Sequence, residues 1–558
     1  MQLLRFNMAI TDNRIRNNDA MTQISGKNNL EFLEFDNQFV AQLPADKDTT
    51  NSPRQVMNAC YTEVMPKKAS SPKLVAFSKD MARQLGFESI FCKSQAVADF
   101  FSGNSLSDQM TPFAMCYGGH QFGKWAGQLG DGRAINLGEI MDASANRWML
   151  QLKGAGPTPY SRFADGLAVL RSSIREFICS EAMFHLGIPT TRALSLVLTG
   201  DKVERDMFYD GHPRMEPGAV VCRVSPSFTR FGNFEIFTSR NNHTILKQLV
   251  DYTIKMDFNI QDEPCSDVYL HWFKKICKIT AKLMVNWMRV GFVHGVMNTD
   301  NMSITGLTID YGPYGWMEDY NPHWTPNTTD AETRRYTFGN QPAVAHWNLY
   351  QLANALFPLI KKKTPLTDVL ENYQTIYRDM WQKMMASKLG FKQFDPDTDS
   401  EIFQELLSLL NMVETDMTIF FRRLADFKPI LLRQFQTGDL NALPFGDAYY
   451  RPDQITSKYT KRFVQWLNMY AARLESEHLE FKIKRKNMNR INPKYIFRNY
   501  LAQMAIDKAQ KDDFLMIEEL MDVLKFPYEE QHAYSRYSIK RPEWARNRPG
   551  CSMLSCSS

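Results

Sequence analysis

The spacing of apolar residues changes partway along this chain, and the change limits the folds open to it. Before about residue 240 the readable elements are short and separated by polar turns. Strands are predicted at 133–140 and 148–153, joined by a polar turn at 142–146, and again at 190–198 and 220–223. One helix interrupts them at 172–186. Its stripe is Ile174, Phe177, Ile178, Ala182 and Leu186, and Gly187 with Pro189 ends it. From Asn242 onward the period is helical, with helices predicted at 245–258, 269–289, 347–358, 367–388, 400–410, 416–436, 457–484 and 513–524. The segment 300–337, rich in Gly, Pro, Asn and Tyr, breaks that run. The order implies an α+β chain of two lobes, β-containing over 51–240 and mainly helical over 241–540. Residues 1–50 read as a partly disordered extension and 541–558 as a flexible tail.

Composition narrows the partners. At 558 residues, 44% hydrophobic and 23% charged, the chain has ample material for a soluble core. A net charge of +5 on this length argues against nucleic acid as a partner and leaves room for a local phosphate pocket. No run of 18 apolar residues occurs, so no membrane span is expected. The first residues mix three Arg with Asp12 and Asp19 and lack a signal-peptide core, which makes a cytoplasmic monomer the expectation. Nine Cys show no repeated metal spacing. Cys551 and Cys556 lie among small residues near the C-terminus, where they read as an accessible, redox-active thiol pair or as part of a frayed end.

The chemistry concentrates at His294-Gly295-Val296-Met297-Asn298-Thr299-Asp300-Asn301 and, shortly after, Asp310-Tyr311-Gly312. Protein kinases carry His-Arg-Asp-Leu-x-x-x-Asn and then Asp-Phe-Gly, so the segment resembles a kinase catalytic loop that has lost its base. Valine at 296 cannot take a proton. Asp300 is the carboxylate left within the loop to do so, unless it is an exposed loop acid. Asn301 and Asp310 supply hard oxygens suited to Mg²⁺ or Mn²⁺ on phosphates. Upstream, Gly130 and Gly132 with Arg133 open directly into a strand, where closely spaced glycines let backbone N–H groups approach phosphate. Lys153 follows on the next strand, the kinase arrangement for gripping phosphates. Glu176, on the helix beyond, either pairs with Lys153 or is an exposed helix charge. Asp165-Gly166 forms a turn that could touch a nucleotide, and Arg223 and Arg230 offer forked donors for phosphate.

Taken together these segments resemble the selenoprotein O family, the YdiU-like proteins. The likeness rests on Gly-Asp-Gly-Arg at 130–133, Leu-Lys-Gly-Ala-Gly at 152–156, Ala-Asp-Gly at 164–166 and Arg-Ser-Ser-Ile-Arg-Glu at 171–176. It continues through Arg-Val-Ser-Pro-Ser-Phe-Thr-Arg at 223–230, the loop at 294–304 and Thr-Ile-Asp-Tyr-Gly-Pro at 308–313. The resemblance implies a protein-kinase-like two-lobed fold that binds ATP in a flipped orientation. It implies AMPylation of protein Ser, Thr or Tyr hydroxyls with release of pyrophosphate, and UMPylation from UTP in bacterial members. Carried over by motif, Asp300 would be the base and Asn301 and Asp310 the metal ligands. Gly130, Gly132, Arg133, Lys153, Asp165, Gly166, Arg223, Arg230 and Asp310 would contact the nucleotide. Redox control through a tail disulfide is also implied, but the loop reads Thr-Pro-Asn-Thr-Thr-Asp at 325–330 and has no cysteine to receive one. A Cys551–Cys556 bridge or a mixed disulfide would have to replace it. The competing reading is a catalytically silent nucleotide-binding pseudokinase that serves as a redox-responsive interaction protein.

Overall fold

The computed structural model describes residues 33–87, 94–130, 133–430, 432 and 443–555. Within the unit that begins at Phe35, nine strands occupy the N-terminal half. They are β1 (Tyr61–Glu63), β2 (Lys73–Phe77), β3 (Phe113–Met115), β4 (Tyr117–Gln121), β5 (Lys124–Leu129), β6 (Ala134–Met141), β7 (Arg147–Lys153), β8 (Arg192–Arg205) and β9 (Arg214–Ser225). Seven form one antiparallel sheet in the order β1-β3-β6-β7-β9-β8-β2. The β6–β7 turn forms because Asp142 accepts the backbone N–H groups of Ser144 and Asn146, each at 2.9 Å. Strand alternation then sends Gln151 and Lys153 of β7 to the same face as Arg223 of β9, which pairs in register with Gln151. The helix Leu170–His185 lies across β8 and β9 and brings Glu176 to that face.

Strands β4 and β5 form a separate hairpin inserted between the sheet neighbours β3 and β6. This hairpin does not follow the sheet. It reaches across to the helix Phe231–Ser239 and the turn Thr299–Asn301. That helix is the first of the helical half. Its successors include His243–Met256, Ser266–Val290, Gln341–Ile360, Lys363–Leu389, Asp399–Met412 and Ser457–Ser476. Their core is aromatic: Trp466 stacks on Tyr470 at 5.2 Å between ring centroids, with Phe420, Phe445 and Phe463 around them.

Several expectations shift. Residues 35–50, read as an extension, are partly built into the fold: Phe35 bridges to Ile140, and Phe39 is buried against Phe113 at 5.2 Å. The earlier part of that segment, 1–32, lies outside the described residues. The helix predicted at 457–484 is two, Ser457–Ser476 and Phe481–Ile491, separated where His478 takes a left-handed φ of 49°. The one predicted at 416–436 starts as Met417–Leu424, capped by Asp416, and breaks before Pro429; residues 431 and 433–436 lie outside the described residues. The tail is packed as far as it is described. Leu554 is fully buried, its N–H donating to Pro326 O at 2.9 Å and its carbonyl accepting from Thr328 at 2.7 Å. Ser555 Oγ donates to Met207 O in the β8–β9 connection. Cys551 is buried rather than accessible, and burial pushes its thiol up to about 11. Cys556 lies outside the described residues.

Two predictions follow from packing. Arg498 is buried and holds Asp416 at 2.8 and 3.1 Å and Glu318 at 3.2 Å. Arg498→Ala leaves two buried carboxylates uncompensated and should destabilise by about 3–5 kcal/mol. The urea midpoint reads this directly, and an unchanged midpoint would mean that water already reaches the pair. Secondly, iodoacetamide at pH 8 should label exposed Cys265 well before Cys551 in the native protein, because the thiolate is the reactive form. Equal labelling rates, read by peptide mass spectrometry, would mean that the tail leaves its seat readily.

Candidate active site

The face of the sheet that carries Lys153 meets the loop from 294 to 312 through a continuous line of charge. Lys153 Nζ lies 2.6 Å from Glu176 Oε2. Glu176 Oε1 lies 3.2 Å from the Arg223 guanidinium, which in turn pairs with Asp310 Oδ1 at 2.5 Å and donates to Gln151. Arg230 holds the other Asp310 oxygen at 2.5 Å and donates to the backbone carbonyl of Asp300 at 2.9 Å. Burial alone would raise the Asp310 carboxyl, but Arg230, Arg223 and Lys153 outweigh it and hold it far below the usual carboxylate range.

Asp300 sits differently. It is buried in the turn Thr299–Asn301, and burial pushes its carboxyl up to about 7, against the pull of Arg230. Its Oδ1 is enclosed and has no hydrogen-bond partner, while Oδ2 is approached by Gln121 Nε2 at 3.4 Å. The lid over it is the β4–β5 hairpin. His120 N–H donates to Thr299 Oγ1 at 2.7 Å, and Phe122 N–H reaches Asn298 Oδ1 at 3.2 Å and Tyr336 OH at 3.1 Å. The approach needs glycine at 119, where a Cβ would stand 2.7 Å from Asp300 Oδ1. The His120 ring in turn contacts buried Glu235 at 2.7 Å.

The rest of the loop is fixed by its own backbone. His294 is buried, and burial depresses its ring; Nε2 donates to Ile309 O at 2.8 Å and Nδ1 faces the Val296 N–H at 3.4 Å. It ties 294–296 to 309 through both ring nitrogens. Val296 is itself buried. Asn301 donates Nδ2 to Val296 O at 2.8 Å, which leaves its amide oxygen as the free end. Asn301 Oδ1 and Asp310 are two hard oxygen donors on one loop, the set a small divalent cation takes when phosphate and water complete its shell. Among the described residues no group of three His, Cys, Asp or Glu forms a self-sufficient metal cage. This pair could hold a cation that brings phosphate ligands only by taking an Asp310 oxygen from Arg223 or Arg230, which hold one each.

The glycine-loop residues form a second group. Gly130 rests against Tyr160, and Gly132 lies outside the described residues. Arg133 has a left-handed φ of 63°, and its side chain is half-buried in the field of Arg205, Asp165 and Arg171. Asp165 is held by Arg205 at 2.7 and 2.8 Å, and Gly166, at φ 68°, presses on the carbonyl of Gly156. In this structure Asp165 thus has a partner within the protein and fixes the turn at 165–167, where it also accepts from Leu167 N–H at 2.9 Å. The residues that sequence reading passed over are Gln121, His120, Gln151, Asn298 and Tyr336. The run Tyr117-Gly-Gly-His-Gln-Phe-Gly was the available signal for the first two.

No helix among the described residues is long and apolar enough to cross a membrane. The model of the family described as protein adenylyltransferase SelO matches residues 46–525. A protein nucleotidyltransferase YdiU from Rhodopirellula baltica is 55% identical over 536 residues, covering 94% of this chain and 99% of its own. Proteins of the same description from Aromatoleum aromaticum and Flavobacterium johnsoniae are 54% and 50% identical, each covering 94% of this chain and 99% of its own. A solved structure, ROP2 from Toxoplasma gondii, a virulence factor with a protein-kinase fold and no enzymatic activity, covers 48% of this chain and 79% of its own. Its 12% identity and TM-score of 0.22 are too low to carry an argument. The family match spans most of the chain and the relatives run nearly end to end with it, so this chain belongs to the SelO family of nucleotidyltransferase enzymes.

Proposed function

We propose that the chain transfers AMP from ATP to a Ser, Thr or Tyr hydroxyl of a protein and releases pyrophosphate. The observation that carries this reading is Asp300: a buried carboxylate with an unpartnered oxygen beside Asn301 and Asp310, in a loop whose kinase base position is the apolar Val296. In this reading Asp300 takes the acceptor proton and the acceptor oxygen bonds to the α-phosphorus. The bond from that phosphorus to the bridging oxygen breaks, and pyrophosphate leaves with its electron pair. Lys153, Arg223 and Arg230 stabilise the charge that develops on the phosphates. Asn301 and Asp310 would hold Mg²⁺ or Mn²⁺, which as a Lewis acid neutralises phosphoryl charge when bound. UTP is the alternative donor.

The test is transfer from ATP labelled at the α- or the γ-phosphate, with Asp300→Ala and Asp310→Ala as controls. Label retained on protein only from the α position, and lost in both variants, is the expected result. Label from the γ position alone would mean ordinary phosphoryl transfer, and ATP binding without label would favour a silent scaffold. A second prediction concerns the lid: Gly119→Ala should lower transfer by about 100-fold by displacing the Asp300 carboxylate, and should destabilise the protein by about 1–3 kcal/mol. Wild-type activity in that variant would remove Asp300 from the base role.

A further inference from the structure

Arg335 occupies a slot beside the site and has no carboxylate of its own. Its guanidinium lies 4.4 Å from the Trp347 ring centroid and 5.8 Å from that of Tyr336. The turn of the β4–β5 hairpin covers it at Gly123, where a Cβ would lie 3.5 Å from Nη1 and 3.6 Å from Cζ. Nε and Nη2 are enclosed and without an acceptor, which is unfavourable for a cation with fixed donors. The nearest carboxylate on its own segment is spent. Asp330 Oδ1 accepts Thr333 Oγ1 at 2.7 Å and Arg335 N–H at 3.0 Å, and Oδ2 accepts Tyr336 N–H at 2.7 Å.

The slot adjoins the base. Tyr336 OH donates to Asn298 Oδ1 at 2.5 Å, and Asn298 precedes Asp300 by two residues. The chain neighbours of the slot, Lys124 and Arg334, are exposed cations, set against exposed Glu332. A guanidinium stacked on an aromatic ring keeps its N–H edge for planar oxyanions. Nη1 is not among the enclosed, unpartnered nitrogens, and it is the one nearest Gly123, whose lack of a side chain leaves room over it.

We propose that the Arg335 slot binds an acidic side chain of the acceptor protein close to the hydroxyl that receives the nucleotide, so that acceptors are selected for acidic flanks. This rests on the protein-nucleotidyltransferase reading of the same site. The specificity residue is Arg335; Trp347 and Tyr336 position it.

The test uses two fluorescein-labelled peptides that differ only in having Glu or Lys on both sides of one Ser. Binding to the full chain with a non-hydrolysable ATP analogue is read by fluorescence anisotropy for wild type, Arg335→Lys, Arg335→Gln and Arg335→Glu. Wild type should favour the acidic peptide by about tenfold, as a charge-assisted hydrogen bond from Nη1 does. Arg335→Lys should retain part of the preference, Arg335→Gln should abolish it and Arg335→Glu should reverse it, with ATP affinity and melting temperature unchanged. No preference in wild type, or a preference that survives Arg335→Glu, would overturn the proposal. α-Label transfer is scored separately. Transfer without the preference overturns the slot alone, whereas the preference without transfer overturns the chemistry and leaves an acidic-peptide site.

Discussion

The line of charge from Lys153 through Glu176, Arg223 and Asp310 to Arg230 is the interaction on which the rest of the molecule depends. It draws side chains from two strands, a helix, the loop beyond Asn301 and the entry to the helix Phe231–Ser239. Signs alternate along it, so each buried charge is compensated by its neighbours and removal of one strands the others. Three cations face two carboxylates. The line therefore carries an excess of one positive charge. The sheet, the helix and the loop are therefore tied to one another: Asp310 is held by Arg223 of β9, and Arg223 by Glu176 of the helix.

Asp300 shows how one loop shifts two carboxyls in opposite directions. Asp310 keeps its charge because guanidinium groups flank it on both sides. Ten residues earlier, Asp300 is walled off by the β4–β5 hairpin, and the nearest cation bonds to its backbone carbonyl instead of its carboxylate. Environment and not residue type separates them: guanidiniums hold one carboxyl in its charged form, and burial favours the proton on the other.

Much of this was legible in the sequence because it is local. The β6–β7 hairpin, the helix that carries Glu176 and most of the long C-terminal helices follow apolar period and turn chemistry within a window of a few residues. The candidate residues were legible because their types and order carry chemistry. What the sequence concealed is long-range. The β4–β5 hairpin is too glycine-rich to show a strand period, and its destination, the turn around Asp300, lies far along the chain. The break near His478 has no proline to announce it. Cys551 stands among small polar residues that suggest exposure, yet Leu554 anchors the segment and takes the thiol inside with it. Arg335 reads as one more surface cation until Trp347 and Gly123 close on it.

The pairing of Leu554 with the segment at 326–328 has a bearing on how the protein is made. Asn327, whose backbone bridges to Leu554, donates its side-chain amide to Gly295 O at 3.0 Å, inside the loop that carries Asp300. Leu554 is made 226 residues after Thr328, so the loop leaves the ribosome well before the bridge that braces it can form.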